Sequence, residues 1–272
     1  MSVPLDREFP TPQGGIRWAA LGAGEPVVLV HGTPYSSYLW RDIAPALALG
    51  RRVFVFDHLG FGRSAKEPGQ DLGLAAHGRR FAELLDHWGL TRPSVVAHDI
   101  GGAIALRTLL LEGVPFRDLV LFDAVSGGSW ERGLFRLILR HADVFAELPD
   151  YAHRALVASH LRRATHVGFR PGALEEHLAP WLGPDGQAAF YRQYRQIREA
   201  DTEPFVPLLG GIDIPTRVVW GREDRILPPP YGEWLRQRVP GAELAWVEGA
   251  GHLLQEDAPG RLLAHLTRPF PG

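Results

Sequence analysis

The segment Ser94-Val95-Val96-Ala97-His98-Asp99-Ile100-Gly101-Gly102-Ala103 reads as a strand, a tight turn and a helix, with Ala97 and Gly101 two residues to either side of Asp99. Such a turn strains its central residue and lifts that side chain above a sheet, and only small neighbours let strand and helix approach so closely. An isolated strand-Asp-helix junction would be an N-cap. The flanking glycines and the partners described next instead point to Asp99 as a nucleophile. Aspartate, with an ordinary pKa of about 4, is already an anion at neutral pH and attacks without a base. Attack on an ester would give only an anhydride, whereas attack on an activated sp³ carbon gives an alkyl ester that water can cleave. Epoxides and alkyl halides are such electrophiles.

The partners lie downstream. His252, in Glu248-Gly249-Ala250-Gly251-His252, follows the last strand pattern and precedes the last helix, which returns an imidazole to the carboxyl edge of the sheet. Asp224, in Trp220-Gly221-Arg222-Glu223-Asp224, stands in the turn after the penultimate strand, placed to orient that histidine. Asp123 in Leu121-Phe122-Asp123-Ala124 is a rival for this role, and Glu223 reads as a solvated turn residue. The loop His31-Gly32-Thr33-Pro34 offers backbone amides, so the N–H groups of Thr33 and Ile100 are the candidate oxyanion hole, with His31 bracing the loop. In this scheme His252 takes a proton from the water that attacks the Asp99 ester, and Asp224 stabilises the imidazolium.

Short apolar runs over 16–21, 27–31, 53–56, 94–98, 119–122, 217–220 and 244–247 must form the strands that position these groups. Helix-periodic stretches after Ser37 and over 72–88, 101–111, 232–238 and 255–266 fill the crossovers. The alternation predicts an α/β fold with a mostly parallel sheet flanked by helices. Strand signals stop between Ser126 and about Pro207, where an Arg-rich, aromatic-bearing helical pattern takes over. A core of 1–125 and 208–272 is therefore expected to carry a helical cap, 126–207, inserted after the strand ending near Phe122.

Composition bounds the partners. The 272 residues are 45% apolar and 22% charged with a net charge of -2, which suits a globular chain and offers no field to draw in nucleic acid or an anionic membrane. No apolar run reaches the roughly 20 residues of a membrane span, and the first residues resemble no export signal. The absence of cysteine removes thiolate chemistry and is compatible with a reducing cytoplasm, the expected location. His58, His77, His87 and His98 lack metal-ligand spacing and read as surface or packing residues, so neither metal nor cofactor is expected. The expected partner is a small molecule, and self-association as a homodimer stays open.

Taken in order, His31-Gly32-Thr33-Pro34, Asp57-His58-Leu59-Gly60-Phe61-Gly62-Arg63-Ser64, His98-Asp99-Ile100-Gly101-Gly102 and Gly251-His252 carry a family resemblance. The chain resembles the epoxide hydrolase and haloalkane dehalogenase branch of the α/β-hydrolases across the sheet domain. The resemblance implies the α/β-hydrolase fold, cofactor-free catalysis and Asp57 and Arg63 as loop scaffolding. In the resembling dehalogenases the halide is held by a Trp after the nucleophile and by an Asn in the His-Gly loop or a cap Trp. Ile100 and Thr33 occupy the first two positions here, which leaves Trp130 or Trp181 to supply a donor. The Arg that follows the nucleophile in fluoroacetate-type dehalogenases is also missing.

The resembling epoxide hydrolases use two cap tyrosines, one in an aromatic-Tyr-Arg segment, and Phe190-Tyr191-Arg192 fits that description. The resemblance thus implies Tyr191 as a catalytic proton donor, Tyr151 or Tyr194 as its substrate-binding partner and Tyr35 as a pocket wall. Ile100 departs from the Trp found after the nucleophile in many of these enzymes too. The leading expectation is an epoxide hydrolase, with a haloalkane dehalogenase as alternative. A lyase or cyclase acting on a natural product, and a non-catalytic ligand-binding protein on the same fold, are the remaining readings.

Overall fold

The central strands are apolar at successive positions because both of their faces are covered. In the computed structural model, which describes residues 3–270, these runs form β1 (Arg7–Phe9), β2 (Ile16–Leu21), β3 (Pro26–Val30), β4 (Arg52–Phe56), β5 (Ser94–Asp99), β6 (Asp118–Ala124), β7 (Thr216–Gly221) and β8 (Glu243–Val247). Among the described residues they make one sheet ordered β1-β2-β4-β3-β5-β6-β7-β8. The β1/β2 and β2/β4 pairs are antiparallel and the rest are parallel, so the carboxyl ends of β3, β5, β6, β7 and β8 share one edge.

Alternation along each strand divides the core in two. Val28, Val30, Phe54, Phe56, Val95, Ala97, Leu119 and Leu121 face one side. Val27, Leu29, Val53, Val55, Val96, Val120 and Phe122 face the other. The first side is covered by α2 (Leu74–His87), α3 (Ile100–Leu110) and α8 (Pro230–Arg238), whose Phe81, Leu84, Ile104 and Leu235 join that cluster. The second is covered by α1 (Ile43–Leu47) with the last helix pair, α9 (Leu254–Asp257) and α10 (Pro259–Thr267). The alternating apolar pattern thus predicted the fold class found.

Two elements differ from the sequence reading. β1 is a three-residue edge strand, too short to show alternation, paired antiparallel with β2 at the edge of the sheet. The helix expected over 255–266 is broken, because Pro259 cannot continue α9 and instead opens α10 at its first turn.

Between β6 and β7 the chain is helical. It forms α4 (Gly133–Ala146), α5 (Asp150–Arg163), α6 (Ala173–Leu178) and α7 (Gly183–Gln196), with short 3₁₀ turns at Ala179–Trp181, Glu199–Thr202 and Val206–Gly211. A buried ionic cluster pins this segment to the sheet domain. Arg41 holds Glu256 through two hydrogen bonds of 2.6 and 2.7 Å, and His177 on α6 reaches the same carboxylate at 3.0 Å. Burial lowers the His177 pKa further than Glu256 raises it, so at neutral pH the ring is uncharged and Nε2–H donates.

Burial alone would raise Glu256, but its bonds to His177 and Arg41 outweigh that and pull it down to about 2. A carboxyl with a depressed folded pKa contributes stability that is complete above its unfolded value of 4.5 and is lost as pH falls toward about 2. The shift corresponds to on the order of 3 kcal/mol. Glu256→Gln should lower stability at pH 7 by about 3–5 kcal/mol, because it leaves Arg41 buried without its partner. It should also remove this acid-side slope. Urea denaturation across the pH range checks both, and a variant of wild-type stability with an unchanged slope would refute the assignment.

Candidate active site

The turn between β5 and α3 holds Asp99 at φ 54° and ψ -127°, a backbone conformation that costs a non-glycine residue free energy. Close approach enforces it. A Cβ on Gly101 would lie 2.6 Å from the Val30 carbonyl oxygen, and one on Gly32 would lie 2.3 Å from the Asp99 Cβ. The side chain therefore stands over the carboxyl edge of the sheet, only 4% exposed.

Burial penalises a carboxylate, yet the Asp99 pKa is lowered, because the His252 imidazole that faces it, helped by the Ile100 amide, outweighs desolvation. The Thr33 N–H donates to Asp99 Oδ1 at 2.7 Å. Oδ1 of the carboxylate thus already sits at the Thr33 amide. The other, Oδ2, lies 3.4 Å from His252 Nε2, and that nitrogen has no formed hydrogen bond to any protein group among the described residues.

On its far side His252 donates from Nδ1 to Asp224 Oδ2 at 2.9 Å. Asp224 Oδ1 accepts the Ile226 and Leu227 amides at 2.7 and 2.9 Å, which locks the carboxylate. Burial would lower the His252 pKa, but Asp224 and then Asp99 overcome it and hold the imidazole well above its ordinary value. His98, pulled down to about 3 by burial, is neutral and donates from Nε2 to the His252 carbonyl at 3.0 Å.

Asp123 shares this neighbourhood without orienting the imidazole. It is the second non-glycine residue with positive φ, 42°, at the point where the β5/β6 register slips so that Asp99 pairs with Ala124. Its Oδ1 accepts the Gly221 N–H at 2.9 Å. Burial first and the Asp224 charge second push its pKa well up, so it is a carboxylic acid at neutral pH. Asp123, Asp224 and His252 offer atoms within 4.8 Å of one another, a spacing that a cation could bridge. The Asp224 oxygens and His252 Nδ1 are already spent on one another and on backbone amides, which makes the group a hydrogen-bond network.

Asp99 floors a cavity of about 830 Å³ that Thr33, Ile100, Trp130, His160 and Tyr194 also line. The tyrosines separate here. Tyr191 does not reach the cavity wall. Its hydroxyl donates at 2.8 Å to Nδ1 of His153, whose Nε2–H donates to the Trp181 carbonyl, and burial pushes its pKa up to about 12. Tyr151 is 78% exposed on the outer face of α5. Tyr35 is buried against the His98 and His177 rings and is not part of the wall. Tyr194 is in the wall, with its hydroxyl 3.0 Å from His160 Nε2. His160 is pulled down to about 4, by burial first and His252 second, and is neutral.

Residues 25–259 match the family described as the alpha/beta hydrolase fold. The chain belongs to that family. This α/β-hydrolase is 41% identical to an α/β hydrolase fold protein of solved structure from Burkholderia ambifaria, covering 98% of both chains with a TM-score of 0.95. It is 28% identical to haloalkane dehalogenase 2 of Mycobacterium tuberculosis, over 97% of this chain and 94% of that one. It is 29% identical to 2-hydroxy-6-oxo-2,4-heptadienoate hydrolase of Pseudomonas putida, over 86% and 85% respectively. The chain is thus a hydrolase, and among its described residues no helix is long and apolar enough to cross a membrane.

Sequence reasoning missed two groups of the α/β-hydrolase, one in the cavity wall and one bonded to the Thr33 side chain. His160 carried no motif. Gln193, whose Oε1 accepts the Thr33 hydroxyl at 2.8 Å, is a buried polar residue on the inner face of α7. Its only signal was its place three residues after Phe190 on the apolar stripe of the helix.

The two acids can be told apart without a substrate. In an NMR titration, Asp224→Asn should bring the His252 pKa down markedly, because the largest raising influence is gone. Asp123→Asn replaces one neutral group by another and should leave His252 close to wild type. Equal shifts in the two variants would make Asp123 an orienting acid as well.

Proposed function

We propose that this α/β-hydrolase opens an epoxide by attack of Asp99 Oδ2 and then hydrolyses the alkyl ester with His252. The observation that carries the reading is the Tyr194–His160 pair in the wall of the cavity floored by Asp99. An epoxide oxygen leaves as a basic alkoxide and gains from a phenol donor, whereas a halide takes no proton.

In the first step Oδ2 bonds to an epoxide carbon, that carbon's bond to the ring oxygen breaks, and the oxygen takes the Tyr194 proton. His160, in the tautomer that carries hydrogen on Nε2, then donates to the phenolate. In the second step water attacks the ester carbonyl carbon and gives a proton to His252 Nε2. The oxyanion forms on Oδ1, already placed at the Thr33 amide. Collapse returns the proton taken from water to the departing diol, and the proton left by the carboxyl restores the protonated His252. Alkylation itself prepares the base: with Asp99 neutral in the ester, one of the two charges raising His252 disappears, its pKa falls, and its resting proton passes by way of the cavity to the Tyr194 phenolate before water attacks.

His252→Gln should therefore stall after the first step, and intact-protein mass spectrometry should find the added mass of one epoxide on Asp99. Single turnover of the wild type in oxygen-18 water should leave label in the Asp99 carboxylate. Tyr194→Phe should slow ester formation on the order of 10²-fold, as loss of a general acid does, while Tyr191→Phe should leave it near wild type. An unlabelled Asp99 after confirmed turnover would refute covalent catalysis, and the reverse order of the tyrosine variants would refute this choice of donor.

Dehalogenation is the second reading, favoured by Trp130. Its indole Nε1–H is buried without a partner among the described residues, and the residue lines the same cavity. Trp181, by contrast, spends its N–H on the Pro34 carbonyl at 2.6 Å. The mycobacterial relative named a haloalkane dehalogenase adds weight. If halide is released, Trp130→Phe should cut dehalogenation by about tenfold or more and spare epoxide opening, a scale set by one buried hydrogen bond to a charged group. Stopped-flow halide release with 1-bromohexane measures it, and an unchanged rate would remove Trp130 as a donor.

A further inference from the structure

The open end of the Asp99 cavity is basic. Arg132 stands at the start of α4, Arg162 and Arg163 at the end of α5, and Arg225 beside Asp224; all four are exposed and all four line the cavity. Asp99, buried at the floor, is the one acidic residue of that wall. Among the described residues none of the four guanidinium groups forms an ion pair. Arg163 reaches only the Arg225 carbonyl, at 3.3 Å, and Arg132 lies 5.9 Å from the Tyr231 ring.

Some exposed arginines elsewhere, Arg140 and Arg236, also lack an ion pair among the described residues, but the four at the mouth line one opening that holds no acid at its rim, whereas other surface arginines meet acids. Arg117 meets Glu25 at 2.6 Å and Arg195 meets Asp143 at 2.7 Å. Acids are available in number, 31 against 29 bases, yet none is spent on the mouth. Four like charges around one opening repel one another, and an anion between them relieves that cost. Between mouth and floor the wall is largely apolar, with Val125, Leu134, Phe135 and Leu156 among its side chains.

We propose that the α/β-hydrolase binds amphiphiles whose anionic head group, a carboxylate or sulfate, is held by Arg132, Arg162, Arg163 and Arg225 while the apolar chain descends toward Asp99. The charge arrangement sets the direction of entry. The buried Asp99 carboxylate repels an anionic head, the arginines attract it, and so the uncharged end carries the reacting carbon to the nucleophile. The inference deepens the epoxide reading by naming the substrate class, but the binding half of the test needs no turnover.

Titration calorimetry of the full chain with octanoate, octyl sulfate and octan-1-ol tests the head-group site. Either anion should bind about tenfold or more tightly than the alcohol, the scale of charge-assisted hydrogen bonds to several donors, and should weaken as salt is raised. Arg162→Gln/Arg163→Gln and Arg132→Gln/Arg225→Gln should each erode the preference and leave octan-1-ol binding unchanged. These positions are exposed, so the variants should fold, and circular dichroism checks that they do. The better-bound anion names the head group. No preference for an anion, or a preference that survives both double variants, overturns the proposal.

The reactive arm compares 7,8-epoxyoctanoate with 1,2-epoxyoctane. The wild type should favour the carboxylate in kcat/KM by a similar factor, chiefly through KM, and the double variants should lose that advantage. Arginine-dependent octanoate binding with neither epoxide opened would refute the epoxide reading alone. Equal turnover of both epoxides without an anion preference would refute the head-group site alone.

Discussion

A buried carboxylate kept as an anion is the constraint on which the rest of this structure depends. Taking Asp99 out of water disfavours its charge, and the penalty is offset only where donors stand ready. The Thr33 amide at 2.7 Å meets one oxygen and the Ile100 amide and His252 add to it. Each donor comes from a different part of the chain, and each is delivered by the end of a strand: β3 leads into Thr33, β5 into Ile100 and β8 into His252. The parallel order of these strands is what brings all three to one edge. The strain at Asp99, and the glycines that let Thr33 and α3 crowd it, are the local cost of that convergence.

The same interaction orders the proposed chemistry in time. While Asp99 is charged, His252 lies between two carboxylates and is held protonated. Esterification of Asp99 removes one of them, so the imidazole becomes able to accept a proton when water must be activated. Asp123 fits this picture because it is uncharged. A third carboxylate within 4.8 Å would hold His252 protonated more firmly, and the site avoids this by burying Asp123 beside Asp224 so that it keeps its proton.

The helical segment between β6 and β7 contributes what the sheet edge cannot. Along α7, Phe190 and Tyr194 are four residues apart and share a stripe, with ring centroids 4.7 Å apart. Tyr191 is turned roughly 100° from Phe190, the angle of one residue in a helix, and its hydroxyl meets His153 of α5. One helical turn thus separates a phenol inside the helical layer from a phenol in the cavity wall. The Arg41–Glu256–His177 cluster keeps this layer seated over the sheet, so that α7 presents the second of them to Asp99.

Local sequence determined the fold class and the candidate residues at the strand ends. Apolar runs of strand length alternating with helical periods leave few other architectures, and the turn chemistry around Asp99, Asp224 and His252 depends on neighbours within three or four residues. Where a signal was too short, as in Arg7–Phe9, the strand was invisible until β2 paired with it. The sequence put Asp224 ahead of Asp123 as the orienting acid, and only the structure shows that His252 Nδ1 bonds to Asp224 while Asp123 accepts the Gly221 amide. Tertiary structure also separates the tyrosines, with Tyr194 in the cavity wall and Tyr191 inside the helical layer, and gathers the four arginines of the mouth. Those choices depend on how α5 and α7 rotate and pack against one another and against the sheet, and helical periodicity defines a buried stripe without saying which neighbour will cover it.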